Sequence, residues 1–141
     1  MLVRLMYASR AVDGTDAEAI AAIVRQSKVH NGGAGITGLL CFSDGIFLQV
    51  LEGGRSAVSA LYNGIAADPR HRDVVLLHYA EITERRFSGW SMGQVNLGRL
   101  NPALLLKYSE TAVLDPYAVS GEASMALLDE LVATASIVGC S

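Results

Sequence analysis

The dipeptide Asp44-Gly45 constrains this fold more than any other feature, because it separates two apolar segments, residues 36–43 and 46–52. Asp-Gly favours a two-residue turn with positive φ at both positions, and such turns join antiparallel strands. The sequence therefore predicts a β-hairpin. Both segments are apolar along most of their length, so we expect the strands to be buried.

The segments around the hairpin predict further strands and two helices. Strand patterns lie at residues 2–9, 73–82 and 90–97. Apolar residues at helical spacing lie at residues 15–29 and 55–67. Thr15 and Glu18 match a capping box at the start of the first helix. Asn31-Gly32-Gly33 would end that helix, and Asp68-Pro69 would end the second.

The resulting order, β-α-β-β-α-β-β, is that of an α+β, ferredoxin-like fold with two helices on one face of a mixed sheet. The opposite face would stay apolar and bare unless something covers it. The last part of the chain supplies a short helix after Asn101 and a longer helix over about residues 121–137. We therefore expect a core at residues 1–97 and a C-terminal helical cap at residues 98–141, packed on the sheet.

Composition excludes several classes of function. The chain has 141 residues, a formal charge of −3 and a pI near 5.5, so it lacks the basic surface that nucleic acid requires. It has no signal-peptide pattern and no apolar stretch of the ~18 residues needed to cross a bilayer, so we expect a cytoplasmic protein without a membrane partner. Its three histidines are scattered, which predicts no metal site.

Two polar side chains interrupt predicted buried strands. Gln49 lies in the apolar segment 46–51, and Tyr7 lies in the first strand. A buried polar group without a hydrogen-bond partner costs roughly 1–3 kcal/mol, so each must find one. The pattern leaves two possibilities open: the side chains bond each other, or they hold a polar ligand between them.

The segment 33–38, Gly-Ala-Gly-Ile-Thr-Gly, matches the dinucleotide-binding pattern G-x-G-x-x-G. That pattern binds pyrophosphate only when a strand precedes it and a helix follows it. Here a predicted helix precedes it and a predicted strand follows. We therefore interpret these glycines as a helix end and a turn.

Several motifs occur in a characteristic order along residues 1–97. They are Tyr7 with Ser9, His30-Asn31, Thr37-Gly38-Leu39-Leu40, Phe47-Leu48-Gln49-Val50-Leu51-Glu52-Gly53, Asp68-x-Arg70-His71 and Phe87-x-x-Trp90-Ser91-Met92-Gly93. In this combination the chain closely resembles the BLUF domain, a flavin-based blue-light sensor. Residues 98–141 lie outside the motifs.

The resemblance implies that a flavin ring lies between the two helices, with Ile23 against one ring face and Ile65 against the other. Tyr7 and Gln49 would point at the N5/O4 edge of the ring, and Asn31 would bond it near O4 and N3. The further contacts implied at the pyrimidine side and the ribityl region are those of Asp68, Arg70, His71 and His30. The cofactor would be FAD, with FMN or riboflavin as possible substitutes.

The resemblance also implies a photoreceptor that is not an enzyme. Light would drive transient electron and proton transfer from Tyr7, whose phenol (pKa ~10) holds a proton at neutral pH. The Gln49 amide would rotate or tautomerise, and the reverse transfer would leave a new hydrogen bond to flavin O4. Two further photoactive residues, Trp90 and Met92, alternate on the last strand, and the sequence leaves open which of them faces the flavin.

The implied partners are an unidentified downstream signalling protein and a second copy of the chain, in a homodimer or other homo-oligomer. Two alternatives remain from the residues alone. A small hydrolase of the acylphosphatase kind would need an anion-binding loop after the first strand, and the acidic loop after Arg10 lacks the required glycines. A structural dimerisation module would have Tyr7 and Gln49 bonded only to each other.

Overall fold

The computed structural model of the chain describes residues 1–95, 102–134 and the backbone of residues 137–138. Its elements, in chain order, are β1 (Leu2–Ala11), α1 (Ala17–Ala34), β2 (Thr37–Ser43), β3 (Ile46–Gly54), α2 (Arg55–Ala67), β4 (His71–Ile82), β5 (Gly93–Val95), α3 (Pro102–Tyr108), α4 (Gly121–Ala133) and β6 (Ile137–Val138). The strands form one mixed sheet in the order β4-β1-β3-β2-β5-β6. The predicted ferredoxin-like α+β architecture is confirmed.

The hairpin between β2 and β3 has the predicted turn. Asp44 and Gly45 have φ values of 50° and 76°, the positive pair that a two-residue turn with the correct twist requires. β3 pairs with β2 on one side and with β1 on the other, antiparallel in both cases. Tyr7 and Gln49 lie directly opposite each other in the β1–β3 register.

The two faces of the sheet carry separate apolar clusters, because side chains alternate along each strand. The first-face cluster packs strand residues against α1 and α2 and includes Val3, Leu5, Tyr7, Ile20, Ile23, Val24, Leu51, Val58 and Met92. The second-face cluster packs strand residues against the C-terminal helices and includes Met6, Leu39, Cys41, Leu48, Val50, Phe87, Met125, Leu128 and Leu131. The helices therefore lie on the predicted faces.

The cap of α1 differs from the predicted capping box. Asp16 is the N-cap, and its Oδ1 accepts a hydrogen bond from the Ala19 N–H at 2.9 Å. Thr15 instead donates its hydroxyl hydrogen to the Val12 carbonyl, so it stabilises the preceding turn. The predicted stop at Asn31-Gly32-Gly33 was also wrong, because the helix continues to Ala34 and ends where Gly35 adopts a left-handed φ of 70°.

The other boundaries before residue 90 lie within two residues of the prediction. α2 has its predicted range, whereas β4 begins at His71, two residues before the predicted start. The last predicted strand is regular only over Gly93–Val95; its residues 96–97 and the predicted cap Asn101 lie outside the described residues. The predicted helix over 121–137 is wrong at its end, because α4 stops at Ala133 and Ile137–Val138 pair with β5.

The Asp16 cap predicts a measurable loss of stability. We expect Asp16→Ala to lower the free energy of unfolding by about 1 kcal/mol, because the Ala19 N–H loses its acceptor. Urea denaturation measures the difference. The control is Asp13→Ala, which removes an exposed carboxylate. Its one ion pair, with the exposed Arg72, is long at 3.9 Å, so this substitution should change stability little. Equal effects of the two substitutions would contradict the assignment of Asp16 as the cap.

Candidate functional site

A cavity of about 320 Å³ lies between α1 and α2 on the first face of the sheet. This volume is within the range of roughly 300–1,000 Å³ that is typical of small-molecule sites. Eight of the residues predicted to contact a cofactor line it: Tyr7, Ile23, His30, Gln49, Ile65, Asp68, Arg70 and His71. The fold therefore brings together side chains that lie far apart in the sequence.

Tyr7 and Gln49 form a buried hydrogen-bonded pair at the floor of the cavity. The Tyr7 hydroxyl donates to Gln49 Oε1, and only 1% of Tyr7 and 3% of Gln49 are exposed. The Gln49 Nε2 donates to Met92 Sδ at 3.2 Å. The amide is thus bonded at both ends, by a phenol on β1 and by a thioether just before β5.

Burial has a definite effect on the Tyr7 phenol. It raises the pKa of Tyr7 well above the usual value near 10, and the nearby Tyr62 and Asp68 raise it further. The phenol is therefore neutral at physiological pH and keeps its hydrogen for the bond to Gln49. Tyr62 also contacts Tyr7 directly, with ring centroids 5.7 Å apart.

A charged group connects the end of α2 with α1. Arg70 binds the Asp68 carboxylate through Nε and Nη2, the latter at 2.7 Å, and its Nη1 donates to Gln26 Oε1 at 3.0 Å. The hydrogen bonds from Arg70 lower the pKa of Asp68. These groups give the cavity one polar, charged end.

His71 lies at the start of β4 and is half-buried. Its Nδ1 is 2.7 Å from the Ser9 Oγ, and its ring packs on Phe47 with centroids 4.8 Å apart. Burial lowers the pKa of His71, with Asp68 opposing this effect and Arg70 adding to it. A neutral imidazole held by Ser9 is therefore part of the cavity wall.

Three predicted residues do not line the cavity. Asn31 is fully buried, its Nδ2 donates to the Ser91 carbonyl at 3.1 Å, and its Oδ1 has no hydrogen-bond partner among the described residues. Met92 belongs to the first-face cluster and reaches the site through Gln49. Trp90 packs against the second-face cluster, so Met92 is the one that faces the Tyr7–Gln49 pair.

Seven lining residues were not predicted from the sequence: Gln26, Ser27, Leu40, Phe47, Ala60, Leu61 and Gly64. The spacing of residues along the helices and strands could have identified most of these lining residues. Gln26 and Ser27 follow Ile23 by three and four residues, and Leu61 precedes Ile65 by four, so each shares a helix face with a predicted contact. Phe47 precedes Gln49 by two residues on the same strand face.

The described residues also bear on metal binding and on membrane insertion. Within the described residues, no group of three or more His, Cys, Asp or Glu side chains is placed to hold a metal ion. None of the helices in the described part of the chain is long and apolar enough to cross a membrane.

The fold and the site define a small α+β domain that can hold a flat, partly polar ligand between two helices. Residues 2–93 match the family model described as BLUF, sensors of blue-light using FAD. The photoactivated adenylate cyclase subunit beta of Euglena longa is 39% identical over 92 residues, which are 64% of this chain and 11% of that protein. The chain thus spans about a tenth of the length of the first curated relatives that it matches.

Solved structures agree over nearly the whole chain. The dark-state structure of BlrB, a BLUF protein, is 36% identical with a TM-score of 0.80, and the match covers 95% of this chain and 96% of that one. The photo-activated state of BlsA is 28% identical with a TM-score of 0.84, covering 100% and 99%. The chain belongs to the BLUF family of flavin-binding blue-light photoreceptors. Membership of this family favours the photoreceptor over the alternatives of a small hydrolase and a structural dimerisation module.

The lowered pKa of His71 predicts a pH dependence of stability. Below about pH 6.5 the unfolded chain binds a proton at this histidine that the folded chain binds less readily, so the free energy of unfolding falls as the pH falls. Burial lowers the pKa of His78 as well, which adds to the fall in the same direction. We expect the loss between about pH 7 and pH 5, measured by urea denaturation, to be smaller in His71→Gln than in the wild type. Equal losses would show that His71 does not contribute.

Proposed function

We propose that this chain is a photosensor without enzymatic turnover, in which a flavin between α1 and α2 meets the Tyr7–Gln49 pair. The observation that carries the proposal is this pair: a neutral phenol and a carboxamide, both buried, bonded to each other at the floor of a cavity. A phenol can give up an electron and a proton, and a carboxamide has both an acceptor and donors. One side chain can therefore be oxidised while the other changes its hydrogen bonds.

The residues present fit a flavin. Ile23 and Ile65 line the cavity from the two helices and supply apolar surfaces for the faces of a flat ring. The buried Asn31 Oδ1 lacks a donor among the described residues, and the imide N–H of a flavin is a donor of the required kind. Asn31 directly follows His30, which lines the cavity.

We propose FAD as the flavin that is bound, which the family description supports. Asp68, Arg70 and His71 would contact the pyrimidine side of the ring, where carbonyl and N–H groups need polar partners. His30 is exposed at the edge of the cavity and would lie near the ribityl chain. FMN and riboflavin carry the same ring, so these contacts also suit them.

When bound, the flavin supplies blue-light absorption and an excited state that accepts an electron. Tyr7 would supply that electron, followed by its hydroxyl proton, to the excited flavin, and Gln49 Oε1 would then lose its donor. The Gln49 amide could reorient, and the return of the electron and the proton would restore the Tyr7 phenol. No net chemistry would remain, but the hydrogen bonds of Gln49 to Tyr7 and Met92 would have changed.

The output belongs to the same proposal. Residues 1–97 would act as the sensor and residues 98–141 as a cap on the second face, with the signal reaching a separate downstream protein in the cytoplasm. Self-association as a homodimer or other homo-oligomer would be the second route. The contacts of α4 with the second-face cluster support the cap, because that helix buries Met125, Leu128 and Leu131 there.

The proposal predicts a yellow protein whose flavin absorbance shifts reversibly to the red under blue light. Tyr7→Phe should abolish the normal photocycle, because no phenol proton is available. Gln49→Leu should keep the flavin but lose the shift, because no amide remains to reorient. Absorbance spectra before and after illumination measure both, and chromatography of the released flavin tests the assignment of FAD.

Tyr62→Phe is the matched control, since it removes a phenol whose ring lies 5.7 Å from that of Tyr7 without a bond to Gln49. It should retain the shift. A colourless wild-type protein, or a normal photocycle in Tyr7→Phe, would contradict the proposal.

A further inference from the structure

Glu52 is a buried carboxylate, and the cavity does not explain why it is buried. It lies on β3, three residues after Gln49, and is 0% exposed. It faces the second face of the sheet, opposite the cavity, beside its register partner Arg4. A charge in such a position is tolerated only when it is paired and hydrogen-bonded, so its donors indicate what it holds.

Glu52 joins the sheet to the segment between β4 and β5. Its Oε2 accepts from Arg4 Nε at 2.8 Å and lies 2.7 Å from Arg4 Nη2. Its Oε1 accepts from two backbone N–H groups, those of Arg86 at 2.9 Å and Phe87 at 2.6 Å. The Arg86 N–H also lies 3.1 Å from Oε2. The carboxylate therefore joins β1 to the chain that leads towards Met92.

The segment from Phe87 to Met92 is irregular, and separate contacts hold it. Regular strand pairing begins at Gly93, one residue beyond Met92. Before it, the Trp90 carbonyl accepts from the Gly38 N–H at 3.0 Å, the Ser91 carbonyl accepts from Asn31 Nδ2 at 3.1 Å, and Phe87 is fully buried in the second-face cluster. The position of Met92 thus depends on how this short irregular segment is held.

Met92 in turn selects the orientation of the Gln49 amide. A thioether sulfur accepts hydrogen bonds and has no hydrogen to donate. The contact at 3.2 Å therefore favours the amide orientation that places Nε2 towards Met92 and Oε1 towards Tyr7. In the reversed orientation Oε1 would face the sulfur, and two acceptors form no bond.

We propose that Glu52 is a positioning residue for the photoresponse: by binding the backbone of Arg86 and Phe87, it holds the Met92 sulfur against Gln49 and favours the dark orientation of the amide. The proposal rests on the proposed function. It gives a role to the one carboxylate in the motif 47–53, on the face of the sheet that the flavin does not touch.

Two double variants separate the hydrogen bonds of Glu52 from its charge. Arg4→Met/Glu52→Leu and Arg4→Met/Glu52→Gln both remove the buried ion pair, so neither leaves an unpaired charge. Only glutamine retains an oxygen that can accept from the N–H groups of Arg86 and Phe87. The pair therefore differs in the single interaction that the proposal invokes.

After blue light, the leucine variant should return to the dark spectrum roughly 2- to 12-fold more slowly than the wild type, the range that corresponds to one hydrogen bond. The slower return is expected because Met92 is no longer held ready to accept from Gln49. The glutamine variant should restore the wild-type rate. Recovery of flavin absorbance in darkness is the measurement, and equal rates in the two variants would overturn the proposal.

Glu81→Gln is the control, because it removes an exposed carboxylate that pairs with Arg55 at the start of α2 and lies in register with Val3, on the sheet face opposite that of Glu52. It should leave the recovery rate unchanged.

If the leucine variant does not fold, Glu52→Asp tests the same point, since a side chain shorter by one methylene keeps its charge for Arg4 but withdraws from Arg86 and Phe87. Slow recovery supports the proposal, and a wild-type rate overturns it. A wild type without a spectral shift would instead overturn the proposed function.

Discussion

The rest of the site depends on the hydrogen bond between Tyr7 and Gln49, and that bond depends on the register of β1 against β3. A shift of one residue would turn one of these side chains to the opposite face of the sheet, away from the cavity. Both strands are buried on both faces, so such a shift would exchange side chains between two differently packed apolar clusters, which disfavours it. The two apolar clusters thus serve the site by holding two polar side chains together.

Energies limit what this pair can do alone. A changed hydrogen bond contributes about 0.5–1.5 kcal/mol, whereas inverting a two-state equilibrium from 1:99 to 99:1 takes about 5.5 kcal/mol. The Gln49 amide must therefore act on an element that is already near balance. The irregular segment before β5 contacts the amide through Met92. The bond from Asn31 to the Ser91 carbonyl ties the same segment to α1.

Much of this arrangement could be predicted from the sequence, for identifiable reasons. Asp44-Gly45 specified the hairpin, and the helical spacing in residues 55–67 gave α2 its full range. The cap of α1 was misplaced because Thr15 and Asp16 are both good caps, and only the bond to Ala19 distinguishes them. Strand alternation would place Trp90 and Met92, two residues apart, on the same face. They lie on opposite faces because residues 90–92 precede the regular strand, which the sequence pattern did not indicate. The contacts of Glu52 could not be predicted, since the Arg4 side chain and the backbone N–H groups of Arg86 and Phe87 that bind it all lie more than thirty residues away in the sequence.

The most direct test of the account is a crystal structure of the flavin-loaded protein grown in darkness. We expect the ring to lie between Ile23 and Ile65, with its polar edge within hydrogen-bond distance, about 3 Å, of Gln49 while Gln49 still bonds Tyr7. A flavin bound elsewhere, with Tyr7 and Gln49 bonded only to each other, would contradict it.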